Sequence, residues 1–179
     1  MLALGASTLA GRGAFGGAIA AYRDAIALAA SGLPAGSPAL RALAAGGNNL
    51  AAALEEKPSR NADETQGMVE AAEGGLRYWK QAGTWLEEER AEYRLARSLL
   101  QAGRARDALA AARRCLDVCE RNDAPPFERF FAFAVLALAQ RADGRAADAD
   151  ASRARCQALF DALPADERAW CEADLRALA

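Results

Sequence analysis

Small residues recur along this chain in step with its apolar positions. Ala6, Gly47, Ala96 and Ala137 form one series, with steps of 41, 49 and 41 residues. Ala18, Gly67, Ala108 and Ala149 form a second, and Ala25, Gly74, Cys115 and Cys156 a third, both with steps of 49, 41 and 41. A 41-residue unit is thus repeated about four times, with about eight extra residues in the second copy between its first two series. Helices can approach closely only where the facing side chains are small, so each series predicts a close helix crossing.

Turn chemistry divides the pattern into elements. Ser37-Pro38 offers an N-cap followed by a first-turn proline. Asn61 with Glu64, and Thr84 with Glu87, have capping-box spacing. Gly13, Gly32, Gly83, Gly103 and Gly144 fall where helices should stop, and Asp123 precedes Pro125-Pro126. No stretch alternates with period two between hairpin turns, so strands are not expected. The reading is nine helices, at about 1–11, 14–30, 38–55, 62–82, 84–102, 105–121, 125–142, 145–161 and 165–177. They pair as hairpins over about 1–30, 38–82, 84–121 and 125–161, with a closing helix at about 165–177, all in one domain spanning 1–179.

Composition supports an all-α fold, because the 53% of hydrophobic residues is largely Ala and only 7% of the chain is aromatic. A net charge of −2, with Glu interleaved among the Arg-rich stretches, argues against nucleic acid or an anionic membrane as partner. The apolar run from Ala14 to Ala30 is broken by Arg23 and Asp24 and is too short to span a bilayer. No basic region precedes an apolar run at the N-terminus, so the expected location is cytoplasmic, and the Ala- and Arg-rich composition points to a GC-rich bacterial genome. Histidine is absent, which removes the commonest general base and metal ligand. With no Gly-rich phosphate loop and no nucleophile beside an evident base, neither catalysis nor a cofactor is expected.

A helix hairpin with a small residue at its eighth position, a turn glycine, and two further small residues seven apart resembles a tetratricopeptide repeat (TPR). The third copy carries Leu95-Ala96, Leu99, Gly103, Ala108 and Cys115; the fourth carries Leu136-Ala137, Gly144, Ala149 and Cys156. The first carries Ala6, Gly13, Ala18 and Ala25, and the second Gly47, Gly67 and Gly74 without a turn glycine. The resemblance covers most of residues 1–160. It departs from the family in its longer period (about 34 residues is usual), in Glu92 where a large residue is usual, and in the missing closing proline. These departures make the repeat TPR-like. The resemblance implies a right-handed α-solenoid of about four hairpins plus a C-terminal capping helix.

The resemblance also implies a concave binding surface lined by the first helix of each hairpin. The positions carried over include Arg41, Ala44 and Asn48 from the second copy, and Arg90, Tyr93, Arg94, Arg97 and Gln101 from the third. The fourth supplies Phe131, Ala134, Leu138 and Arg141. Arg90, Arg94 and Arg97 lie at i, i+4 and i+7, so three guanidiniums share one stripe and call for acidic neutralisation. One expectation is a groove for an acidic peptide segment, held by Arg90, Tyr93, Arg94 and Arg97, with Asn48, Phe131 and Arg141 as neighbours. The other is a solvated face whose arginines pair with Glu87, Glu88 and Glu89. A full carboxylate clamp is not expected, because Ala3, Ser7 and Ala45 replace the Lys, Asn and Asn of clamp-type members.

Cys115 and Cys119 stand one helical turn apart, at a Cβ spacing of about 5–6 Å. A disulfide needs about 3.8 Å. Buried packing is the expected role, and a soft-metal or redox site with Cys156 or Cys171 the alternative. Phe127, Phe130, Phe131 and Phe133 exceed one helix face, so either one is exposed as a partner or self-association surface, or all serve packing between hairpins. Trp170 and Leu175 are expected to cover the last hairpin. The function expected is non-catalytic protein–protein interaction, with a homo-oligomer as the alternative.

Overall fold

The computed structural model describes residues 2–178, the side chains of residues 2–4 and 7 excepted, so the positions of the Ala3 and Ser7 side chains lie outside the described residues. Nine helices and no strands occur among them: α1 (Leu2–Gly11), α2 (Phe15–Ala29), α3 (Pro38–Glu55), α4 (Ala62–Ala82), α5 (Trp85–Gln101), α6 (Ala105–Arg121), α7 (Pro126–Ala142), α8 (Ala146–Ala162) and α9 (Ala165–Ala177).

The helix starts follow local chemistry. Asn61 and Thr84 both close capping boxes: the Glu64 amide donates to Asn61 Oδ1 at 2.9 Å, and the Thr84 amide donates to Glu87 Oε2 at 2.8 Å. Ser37 accepts from the Ala39 amide at 3.3 Å, with Pro38 opening α3.

The stops share one bond. The amides of Ala14, Arg104, Ala124 and Arg145 each reach back five residues, to the carbonyls of Leu9, Leu99, Cys119 and Gln140, all at 2.9 Å. The residue before each donor is left-handed: Gly13, Gly103 and Gly144, with Asp123 (φ 46°) in the same role. Gly83 differs from expectation, because its φ of −101° needs no glycine. It is small because a Cβ there would lie 2.9 Å from both Glu87 Cβ and the Trp79 carbonyl oxygen.

Packing runs from neighbour to neighbour, as in a helical repeat. α1/α2, α3/α4, α5/α6 and α7/α8 are the hairpins; α4 then packs on α5 and α6 on α7. The first helices α1, α3, α5, α7 and α9 each touch the next, whereas α4, α6 and α8 do not approach one another. A row whose first helices touch while its later second helices splay apart bends, with the first helices on the inside. α3 and α4 cross closely where Gly47 faces Gly75, and Tyr22 of α2 inserts beside them. The main core runs from α1 to α7, and a separate cluster of Phe130, Cys156, Leu163, Cys171 and Leu178 joins α7, α8 and α9.

One expectation changes here, and one open alternative is decided. Trp170 does not cover the last hairpin: it is 77% exposed, and Cys171 and Leu178 take that role with half-buried Leu175. Trp170 and Cys171 are adjacent, so a rotation of about 100° about α9 decides which of them faces α7. None of the four phenylalanines is exposed: Phe130 is fully buried and the other three half-buried. Edge-to-face contacts of Phe131 with Phe127 and Phe130, both at 5.2 Å, let the crowded rings fill the α7–α9 junction.

Candidate functional site on the inner helix row

The arginine stripe of α5 points along the inside of the bend, and each arginine reaches a different neighbouring helix. Arg90 pairs with Glu128 on α7 at 2.6 Å. Arg94 pairs with Glu55 on α3 at 2.5 Å, and Ser98 donates to the other oxygen of that carboxylate at 2.7 Å. Arg97 pairs with Asp174 on α9 at 2.7 Å, where Tyr93 Oη donates to the same Asp174 oxygen at 2.5 Å. The Arg97–Asp174 pair spans two helix positions, from α5 past α7 to α9. Interaxial distances of about 8–10 Å put that beyond side-chain reach in a flat row, which is a second sign of the bend.

Burial strengthens this lattice. The Glu55, Glu128 and Asp174 side chains are 5%, 8% and 15% exposed, so each carboxylate has lost most of its water and depends on its guanidinium. Burial also pushes the Tyr93 phenol far above its usual range, with Arg97 opposing and Asp174 adding to the rise, so Tyr93 stays a donor. Glu92, fully buried where the TPR pattern has a large apolar residue, takes Arg114 at 2.9 Å and Lys80 at 3.1 Å.

Glu89 is the exception. Its Oε1 accepts from the Cys115 thiol at 3.2 Å and its Oε2 has no partner. Burial pushes its carboxyl up to about 8; the thiol bond opposes this and the nearby Glu128 charge adds to it. Glu89 is therefore a neutral acid near pH 7, facing Cys115, Glu128 and Arg90.

The seven residues singled out from the sequence divide into groups. Tyr93, Arg97, Phe131 and Arg141 come together around α9. Phe131 meets Tyr93 edge to face at 5.8 Å, and Arg97 lies 5.8 Å from the Tyr93 ring. Arg141 donates to the Ala177 carbonyl at 2.8 Å, at the C-terminal end of α9, where a cation is favoured. Arg94 turns away to α3, and Arg90 lies at the start of α5 against α7. Asn48 is half-buried on α3 and makes no hydrogen bond to this set. Beside the cluster, an open cleft of about 350 Å³ is lined by Arg97, Leu100, Gln101, Leu138, Arg141 and Ala177.

The acceptors differ from those expected. Glu87 is engaged by Thr84 and by Arg41 at 2.9 Å, Glu88 by Lys80 at 3.6 Å, and Glu89 by Cys115. The arginines use Glu128, Glu55 and Asp174, which lie 38, 39 and 77 residues away. The first two separations fall just short of the 41-residue repeat. Searching one repeat away, rather than along the same helix, would have found them.

All four cysteines are buried and unbridged. Burial pushes Cys119 and Cys156 up to about 12, Cys171 to about 11 and Cys115 well above its ordinary value, so the thiols stay protonated. No three Cys, Asp or Glu side chains converge as metal ligands, and no helix is long and apolar enough to cross a membrane, among the described residues. No family model, curated protein or solved structure matches this chain.

Proposed function

We propose that this chain is a non-catalytic protein–protein interaction module, a right-handed TPR-like solenoid that grips a partner segment along its inner helix row. The observation that carries the reading is the seating of α9. Tyr93 and Arg97 hold its carboxylate and Arg141 holds its terminal carbonyl, and the cleft beside it remains open. These are the side-chain types that recognise an acidic segment, on the face that a curved array presents to ligands. Four unbridged buried thiols suit a reducing, cytoplasmic compartment.

Cross-linking mass spectrometry on a captured partner tests this reading. With a photoreactive amino acid placed in turn at Gln101, Leu138 and Arg141, each position should link to the partner. Links confined to the outer helices α6 and α8 would refute it. Self-association has one observation in its favour: Leu28 and Trp170, in the first hairpin and the closing helix, are 72% and 77% exposed. Light scattering over a concentration series separates it from a monomeric binder.

A further inference from the structure

The geometry points to α9 as a built-in occupant of the recognition face, which an outside helix of matching pattern displaces. This rests on the reading above and adds the class of partner and the means of control. α9 is held by a single stripe: Cys171, Asp174, Leu175 and Leu178 stand at i, i+3, i+4 and i+7, and all are buried or half-buried. That is how a helix lying in a groove is recognised. The polar grip is concentrated at two points, Asp174 between Tyr93 and Arg97, and the carbonyl end on Arg141.

The remainder of α9 has the character of a guest. Its largest apolar side chain, Trp170, faces outward at 77% exposure. It joins α8 only through a two-residue extended connector, Leu163-Pro164. The first helices of the inner hairpins contribute seven to nine buried residues each, and α9 contributes Cys171 alone within its span. The partner that fits this seat is an amphipathic helix reading apolar-x-x-acid-Leu-x-x-Leu. Its affinity is reduced by the fraction of chains in which α9 is docked.

The test uses the full chain and a fluorescent peptide of residues 164–178, kept reduced. Wild type should bind the peptide weakly. Asp174→Asn, which loses the charge held by Arg97, and Asp174→Lys, which sets a cation against it, should bind about tenfold tighter as their own α9 is released. Adding Arg97→Ala should remove the gain. If neither Asp174 variant binds better than wild type, the inference fails; it also fails if a peptide carrying Asn at the Asp174 position binds as tightly. A partner cross-linked to the inner row equally in wild type and Asp174→Asn would remove the control by α9 and leave the binding reading intact. Peptide binding without any partner mapping to this row would do the reverse.

Discussion

The hydroxyl of Tyr22 fills the volume that a side chain on Gly47 would need, and from there donates to the Leu43 carbonyl at 3.1 Å. A Cβ on Gly47 would also lie 2.5 Å from the Ala71 carbonyl oxygen and 2.8 Å from the Gly75 amide nitrogen, both rigid helix backbone. Gly47→Ala should therefore cost about 3 kcal/mol, the upper range for an overpacked core. Gly16, within α2, has open space around it. Gly16→Ala should stabilise by about 0.5–1 kcal/mol. Urea unfolding of both variants checks the pair, and equal effects would contradict the close crossing.

Glu89 makes stability depend on pH. Its carboxyl titrates near 8 in the fold against 4.5 ordinarily, so between those values the folded state holds a proton that the unfolded chain has released. This contribution is fully present below about pH 4.5 and is lost as pH rises towards 8, by at most about 1.4 kcal/mol per pH unit. Gln at this position keeps an acceptor for Cys115 and cannot ionise. Glu89→Gln should match wild type near pH 5 and exceed it by about 2 kcal/mol or more at pH 8. Parallel stability curves from pH 5 to 8 would show that Glu89 titrates normally.

Ion pairs on the inner row should matter more than those outside. Removing Arg94 leaves the Glu55 carboxylate without its guanidinium in a site where its side chain is 5% exposed, so Arg94→Ala should cost about 3 kcal/mol. The Arg104–Asp107 pair, 45% and 54% exposed, should contribute less than about 0.5 kcal/mol. Thermal unfolding at low and high salt distinguishes them, since only the exposed pair is readily screened.

Thiol labelling should report on α9. Cys171 is as buried as the other cysteines but sits on the helix with the fewest buried residues among those described. It should label first under native conditions, and faster still in Asp174→Asn, with Cys115 and Cys119 last. Peptide mapping of the labelled chain gives the order. Cys115 reacting ahead of Cys171 would mean that the α5–α6 core opens more readily than α9 detaches.

Much of the helical layout is legible in the sequence. Ser37-Pro38, Asn61 with Glu64, and Thr84 with Glu87 act on backbone groups within one turn, so the helix starts they mark can be read locally. The small-residue series was legible because each repeat meets its neighbour at the same position. The stop after Arg121 was legible from Asp123 ahead of Pro125-Pro126, but the left-handed turn at Asp123 was not, because an aspartate there has no signature comparable to glycine's. The inward stripe of Arg90, Arg94 and Arg97 is visible in helical spacing, but its acceptors lie on α7, α3 and α9, not on α5 itself.

By itself, then, the sequence determined the number of helices, nearly all of their ends, and which faces of them are small. Those properties depend on contacts between residues a few positions apart. Only the tertiary structure decided that Arg97 meets Asp174, that Trp170 faces water, and that Glu89 is buried beside Cys115 with one oxygen unpartnered. Each of these depends on the bend of the helix row and the rotation of one helix upon another, and small displacements summed over many packed side chains set both.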